Sequence, residues 1–268
     1  MLHRNLYTDV TQNIHSCSLF SALPLRETKV VSAKIEVCAT NIQSALAAQR
    51  AGAQRIELCC ALDGGGLTPS PGLLREARKH LDIAINVLIR PREGNFRYDK
   101  NELAIMLDDI RFCREAGADG VVIGALDADG RLDIPAMQAM LDAARDMDVT
   151  CHRAFDYAAD PFEALETLIS LGVRRVLSSG QAVTAYEGRF LLQKLVEKAA
   201  GRIIVMPGAG ITVKNIREIR EITGAQEFHL TGRKKVVQPN PGGDIPGLEW
   251  WYWESEEGKI REVLRLMD

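Results

Sequence analysis

The run Lys34-Ile35-Glu36-Val37-Cys38 is answered, after Ala39–Ala51, by Gly52-Ala53-Gln54-Arg55-Ile56-Glu57-Leu58-Cys59. Each half carries a short alternating strand, and the residues between them are helix-prone. The pair therefore reads as one βαβ unit with parallel strands. Gly52 fits the position just past a helix end, where a left-handed backbone is cheap for a residue without a Cβ.

The same unit recurs along the chain. Short strand-like runs at Lys34–Cys38, Arg55–Cys59, Ala84–Ile89, Gly120–Ile123, Val149–His152, Arg174–Leu177, Arg202–Met206 and Glu227–Leu230 alternate with longer helix-prone stretches. Gly52-Ala53, Gly117-Ala118, Gly172-Val173 and Gly224-Ala225 each precede an even-numbered run. No dinucleotide-binding fingerprint follows the first strand. The alternation predicts an α/β fold, a closed TIM (β/α)₈ barrel, rather than an open doubly wound sheet.

The chain of 268 residues matches one such barrel with modest extensions. Residues 1–33 are polar and turn-rich and are expected to be a poorly ordered extension. Residues 34–268 are expected to form the single barrel domain. Residues 231–253 read as a long loop rich in proline and glycine, ending in Trp250-Trp251-Tyr252-Trp253, before a final helix near Ser255–Met267. The aromatic cluster is a candidate homo-oligomer contact.

A net charge of −3 gives no electrostatic case for nucleic acid or an anionic membrane. No apolar run is long enough to span a bilayer. Asp9, Gln12, Asn13 and His15 interrupt any secretory leader. The six cysteines form no regular framework and no C-x-x-C pair, which predicts reduced thiols in a cytosolic protein.

Strand alternation sorts the polar residues. Ile35 and Val37 share one face, and Glu36 and Cys38 share the other. The same E-x-C spacing returns in Glu57 and Cys59. With the apolar face against the helices, both glutamates and both cysteines point to the barrel axis. Arg90 and Arg92 close strand 3, and His152, Arg153 and Asp156 close strand 5. His229 alternates inward on strand 8, beside Glu227. Strand C-termini meet at one mouth, so these groups predict a charged network there. A network that merely fills the barrel is the structural alternative. Ser179, Gly180, Gly208 and Gly210, at the ends of strands 6 and 7, offer backbone N–H groups as an anion cradle. Tight turns that need glycine for geometry alone are the plainer reading.

Cys38 and Cys59 lie on adjacent strands. Their sulfurs can bridge one soft ion linearly if both fall at one level, and two thiolates suit Cu(I) better than Zn(II) or Mg(II). Two buried cysteines acting as small hydrophobes are the alternative. Cys60, Cys113 and Cys151 read as packing residues.

The ordered motifs Glu36-Val37-Cys38, Gly52–Cys59, Gly65-Gly66-Leu67-Thr68-Pro69-Ser70, Ile89-Arg90-Pro91-Arg92, His152-Arg153-Ala154-Phe155-Asp156, Val176–Gly180 and Pro207–Thr212 resemble the CutC family of copper homeostasis proteins, over about residues 34–232. The resemblance implies a (β/α)₈ barrel, a homodimer or larger homo-oligomer, and Cu(I) held by Cys38 and Cys59. This chain departs from the family at Gly64, where a glutamate is usual before the double glycine. It departs again at Arg92-Glu93-Gly94-Asn95-Phe96, where the family has R-G-G-D-F.

Two functions follow beside a third, a non-catalytic interaction protein using the Trp250–Trp253 cluster, for which loop packing or a homodimer contact is the plainer reading. One is cytosolic Cu(I) binding through Cys38 and Cys59. The other is an enzyme acting on a small anionic or phosphorylated metabolite. For the enzyme, His152 and Glu57 are acid/base candidates, Arg90 and Arg153 are anion clamps, and Glu36 and Asp156 are further pocket carboxylates. No lysine ends a strand in the pocket, which argues against a Schiff-base aldolase.

Overall fold

The computed structural model describes residues 33–239, 242–243 and 250–267. Eight parallel strands carry the fold: β1 (Lys34–Ala39), β2 (Arg55–Leu58), β3 (Ala84–Leu88), β4 (Gly120–Ile123), β5 (Asp148–Cys151), β6 (Arg175–Ser178), β7 (Ile204–Pro207) and β8 (Glu227–Leu230). Their order in the sheet is β7-β6-β5-β4-β3-β2-β1-β8, and β7 and β8 adjoin to bring the ends of the ring together. The expected TIM barrel is the observed architecture.

Helices α1 (Ile42–Ala51), α2 (Pro71–His80), α3 (Lys100–Glu115), α4 (Ile134–Ala144), α5 (Pro161–Ser170), α6 (Arg189–Ala199), α7 (Ile216–Thr223) and α8 (Glu257–Arg265) follow the strands in turn. Local chemistry starts them. Asn41, Ser70, Asp99, Asp133 and Asp160 each accept a backbone N–H of the first turn, and Asp99 with Glu102 completes a capping box. Pro71 and Pro161 sit where the helix needs no N–H. The main core lies between strands and helices. Ile35, Val37, Ile56, Leu58, Ile85, Val87, Val121, Ile123 and Phe228 are fully buried there, as strand alternation requires.

The long loop expected over 231–253 is corrected. Its two ends pair as an antiparallel ribbon, β9 (Arg233–Val237) with β10 (Trp251–Ser255). Val236, Val237 and the aromatic run are strong strand formers, and their pairing satisfies backbone groups that a loop would leave to water. The ribbon is anchored on the barrel. Trp253 Nε1 donates to Asp63 at 3.2 Å, Asn41 donates to the Trp253 carbonyl at 3.1 Å, and Arg233 stacks over the Trp253 ring. The extension at residues 1–32, Cys17, and residues 240–241 and 244–249 lie outside the described residues. Among the described residues, no helix is long and apolar enough to cross a membrane.

Candidate functional site at the barrel mouth

Register sets the floor of the site. Glu36 lies opposite Arg55 and His229, and Cys38 lies opposite Glu57. Arg55, Glu57 and Cys59 share a face, so the motif pointing inward on β2 is R-x-E-x-C. Arg55 and Arg175 are the ions that sequence reading missed. Both occupy inward positions on their strands, and alternation alone marks Arg55 as a companion of Glu57. Arg55 pairs with Glu36 and with Glu227 at 2.8 Å. Arg175 donates to Glu227 at 2.6 Å, Asp148 at 3.1 Å and Thr150 at 3.0 Å. All but Asp148 are buried. This layer fills the lower barrel, so Glu36 supports the site from beneath and does not line the cavity.

His229 joins the floor to the mouth. Its Nδ1 lies 2.9 Å from Glu36, and its Nε2 lies 3.7 Å from Glu57. Burial disfavours its charge, but Glu57 and Glu36 outweigh that and raise its pKa. Burial would raise Glu36 too, yet the His229 hydrogen bond and Arg55 hold it at about 2. Glu57 is pushed upward, chiefly by burial and also by Glu36. An ionised Glu36 thus supports a protonated His229, while Glu57 is the carboxyl of the group that most readily carries a proton.

Cys38 and Cys59 are both free and buried, with sulfurs 3.4 Å apart. That is closer than the about 4.6 Å of a linear bridge at ordinary metal–sulfur distances. The register staggers the two cysteines, because Glu57 rather than Cys59 faces Cys38. Donor atoms of Cys38, Glu57 and Cys59 lie within 4.8 Å of one another, and those of Glu36, Glu57 and His229 form a second such group. Hydrogen bonding with Cys59, burial and the nearby Glu57 push the Cys38 thiol well above its usual value. The donors are soft, convergent and crowded with potential negative charge, which is what a bound cation relieves. They fit a thiophilic ion with two sulfurs and a third, oxygen donor. Cys60, Cys113 and Cys151 stand apart from this group. Cys113 and Cys151 lie in the core, and Cys60 donates to the Thr68 carbonyl.

A cavity of about 810 Å³ opens above the cysteines. Cys38, Glu57 and His229 line it on one side, and Arg90, Phe96, His152 and Arg153 on another. The Ala209–Lys214 loop, Thr231–Arg233 and α8 complete it. The structure redistributes the sequence candidates. Arg90 is a clamp on its own chain, donating to the carbonyls of Gly64, Gly66 and Gly94 at 2.8, 2.9 and 3.0 Å. Arg92 turns away to Glu102 and the Tyr98 ring. Burial and the Arg90 charge lower the pKa of His152 to about 3, which holds its ring neutral near neutrality. Its Nδ1 accepts the Ala154 N–H at 3.1 Å, so the neutral ring carries its proton on Nε2. Gly124, missed in sequence, makes room for that ring, since a Cβ there would lie 2.6 Å from it.

The anion cradle expected at Ser179, Gly180, Gly208 and Gly210 is corrected in its part after β6, at Ser179 and Gly180. Asp156 already fills it. Its carboxylate accepts from the N–H groups of Ser179 and Gln181 and from both serine hydroxyls, Ser178 and Ser179. The Gly180 N–H goes to the Ser178 hydroxyl and the Gly208 N–H to the Ser178 carbonyl. Of the four residues, only Gly210 lines the cavity. Arg153 bridges this turn to the mouth, pairing with Asp156 at 2.8 Å and the Ser179 hydroxyl at 2.8 Å.

Comparison with known proteins agrees with this fold. The model of the CutC family matches residues 33–234. A family protein CutC of Xylella fastidiosa is 46% identical over 239 residues, covering 88% of this chain and 90% of the relative. One from Bacteroides thetaiotaomicron is 48% identical over 204 residues, 76% of this chain and 82% of the relative. A crystal structure from Streptococcus agalactiae, provisionally described as copper homeostasis protein CutC, superposes with a TM-score of 0.71. Its identity is 35%, covering 74% of this chain and 98% of that one.

Proposed function

This chain belongs to the CutC family, and on that premise we propose that it binds Cu(I) through Cys38 and Cys59, with Glu57 as third donor, in copper homeostasis. The observation that carries the reading is the pair of free sulfurs 3.4 Å apart, of which Cys38 lines an open cavity and Cys59 is buried behind it. Two thiolates give a donor set that a hard cation does not favour. Copper is cargo here, and the chain's own residues do the rest. Glu57 adds a carboxylate from the strand that bears Cys59. His229 holds that carboxylate from below, Glu36 holds His229, and Arg55 holds Glu36. Leu62, Leu88 and Val122 wall the sulfurs and slow the entry of water and oxidants. The reading places the protein in the cytosol, where thiols stay reduced, as a homodimer or larger assembly.

Competition with a Cu(I)-selective chelator under reductant tests the proposal. Wild-type protein retains copper in simple stoichiometry, and a Cys38→Ser/Cys59→Ser variant releases it. Equal retention by the double variant overturns the assignment.

A further inference from the structure

The cavity wall opposite the cysteines has features that copper binding does not use. His152 is 4% exposed, lines the cavity, and presents Nε2 as a donor with no partner among the described residues. Arg90 is 6% exposed, and its Nε likewise has no partner. Phe96 stacks on both, 5.0 Å from the His152 ring and 5.1 Å from the Arg90 guanidinium carbon. Two buried donors on one wall lose their water without gaining an acceptor, an arrangement that folding alone does not reward.

The loop between β7 and α7 lines the same cavity. Among the described residues, the backbone N–H groups of Gly210, Ile211 and Val213 meet no acceptor. The Lys214 ammonium is exposed beside them and enters no ion pair among the described residues. Unspent N–H groups ahead of a helix, next to a free cation, suit a phosphate. The two donor sets line one cavity of the size that small metabolites occupy.

We propose that this wall binds a small phosphate monoester, with its phosphate on the Gly210–Lys214 loop and a hydroxyl or carbonyl oxygen on the Nε2–H of His152 and the Nε–H of Arg90. The site is independent of the copper reading, since it uses neither cysteine. Each stands if the other fails.

Glycerol 3-phosphate, with glycerol as control, is the probe for calorimetric titration of the full chain. Wild-type protein binds glycerol 3-phosphate and not glycerol. Lys214→Ala, at an exposed position that does not threaten folding, weakens binding about fivefold, as expected for one partly solvated charge pair. His152→Phe weakens it further. The Cys38→Ser/Cys59→Ser variant binds as wild type does. A second measurement needs no variant. The His152 ring shows a neutral, Nε2-protonated imidazole by nitrogen-detected NMR, and its proton signal moves downfield as glycerol 3-phosphate is added. Absence of binding, binding indifferent to Lys214→Ala, or an unmoved His152 signal overturns the proposal.

Discussion

The carboxylate of Asp156 accepts the backbone N–H of Ser179 on both of its oxygens, each at 3.0 Å. The turn after β6 is therefore an anion site whose anion is part of the chain. The same carboxylate orients Arg153, so an interior bond sets the position of a cation that lines the cavity.

Removing that internal anion should leave a cradle that an external one can enter. Asp156→Ala is expected to cost about 2–4 kcal/mol, because several donors lose a charged acceptor. Acetate should restore part of the loss in the variant. Thermal unfolding against acetate concentration checks this. An equal acetate response in wild-type protein would show that the cradle is not the binding place.

What sequence reading found and missed divides along one physical line. Strand and helix identity depend on local alternation and caps, so the barrel was legible in the runs from Lys34 to Leu230. Facing was legible too, since Glu36, Cys38, Glu57 and Cys59 alternate with apolar residues. Register was not, because it depends on how far neighbouring strands slide in the closed ring. In register Cys38 faces Glu57 rather than Cys59, which adds a carboxylate to the expected pair of sulfurs. Partner choice was also illegible. Glycine and serine at 178–180 look alike whether Asp156 or an outside anion occupies them.

The barrel's lower layer should fail sharply if it loses one cation. Arg175 is fully buried and holds Glu227 and Asp148. Arg175→Leu leaves those carboxylates without it, and the expected cost is about 3–5 kcal/mol. Adding Glu227→Gln should recover part of that cost by removing one stranded charge. Urea unfolding of the single and double variants decides the point. Strict additivity would mean that the two side chains do not act as a pair.

His152 predicts an acid-sensitive component of stability. Its folded pKa of about 3 lies below the ordinary 6.5, so the unfolded chain binds the extra proton first. The favourable contribution is complete above the ordinary value and is lost as pH falls toward the folded one. The slope approaches about 1.4 kcal/mol per pH unit for one proton. Wild type and His152→Phe should converge in urea midpoint between about pH 7 and about pH 4. A gap that stays constant across that range would show that the ring is not held neutral.

Gly64 and Glu93 meet across facing loops at the rim. Gly64 has no side chain, and a Cβ built there would run into the Glu93 carboxylate. Glu93 thus occupies the space that a side chain at position 64 would need. Gly64→Glu alone forces Glu93 aside and brings two carboxylates together. Glu93→Gly alone removes only an exposed side chain. The double variant should be more stable than the sum of the single changes implies. The coupling is expected near 0.5–1 kcal/mol, about the lower range for side chains in contact, because Glu93 is free to swing outward. A double-mutant cycle on unfolding free energies measures it. Zero coupling would mean that the two positions do not constrain each other. Positive coupling would make Glu93 the acidic group of this rim, close to the Gly64 and Gly94 carbonyls that Arg90 holds.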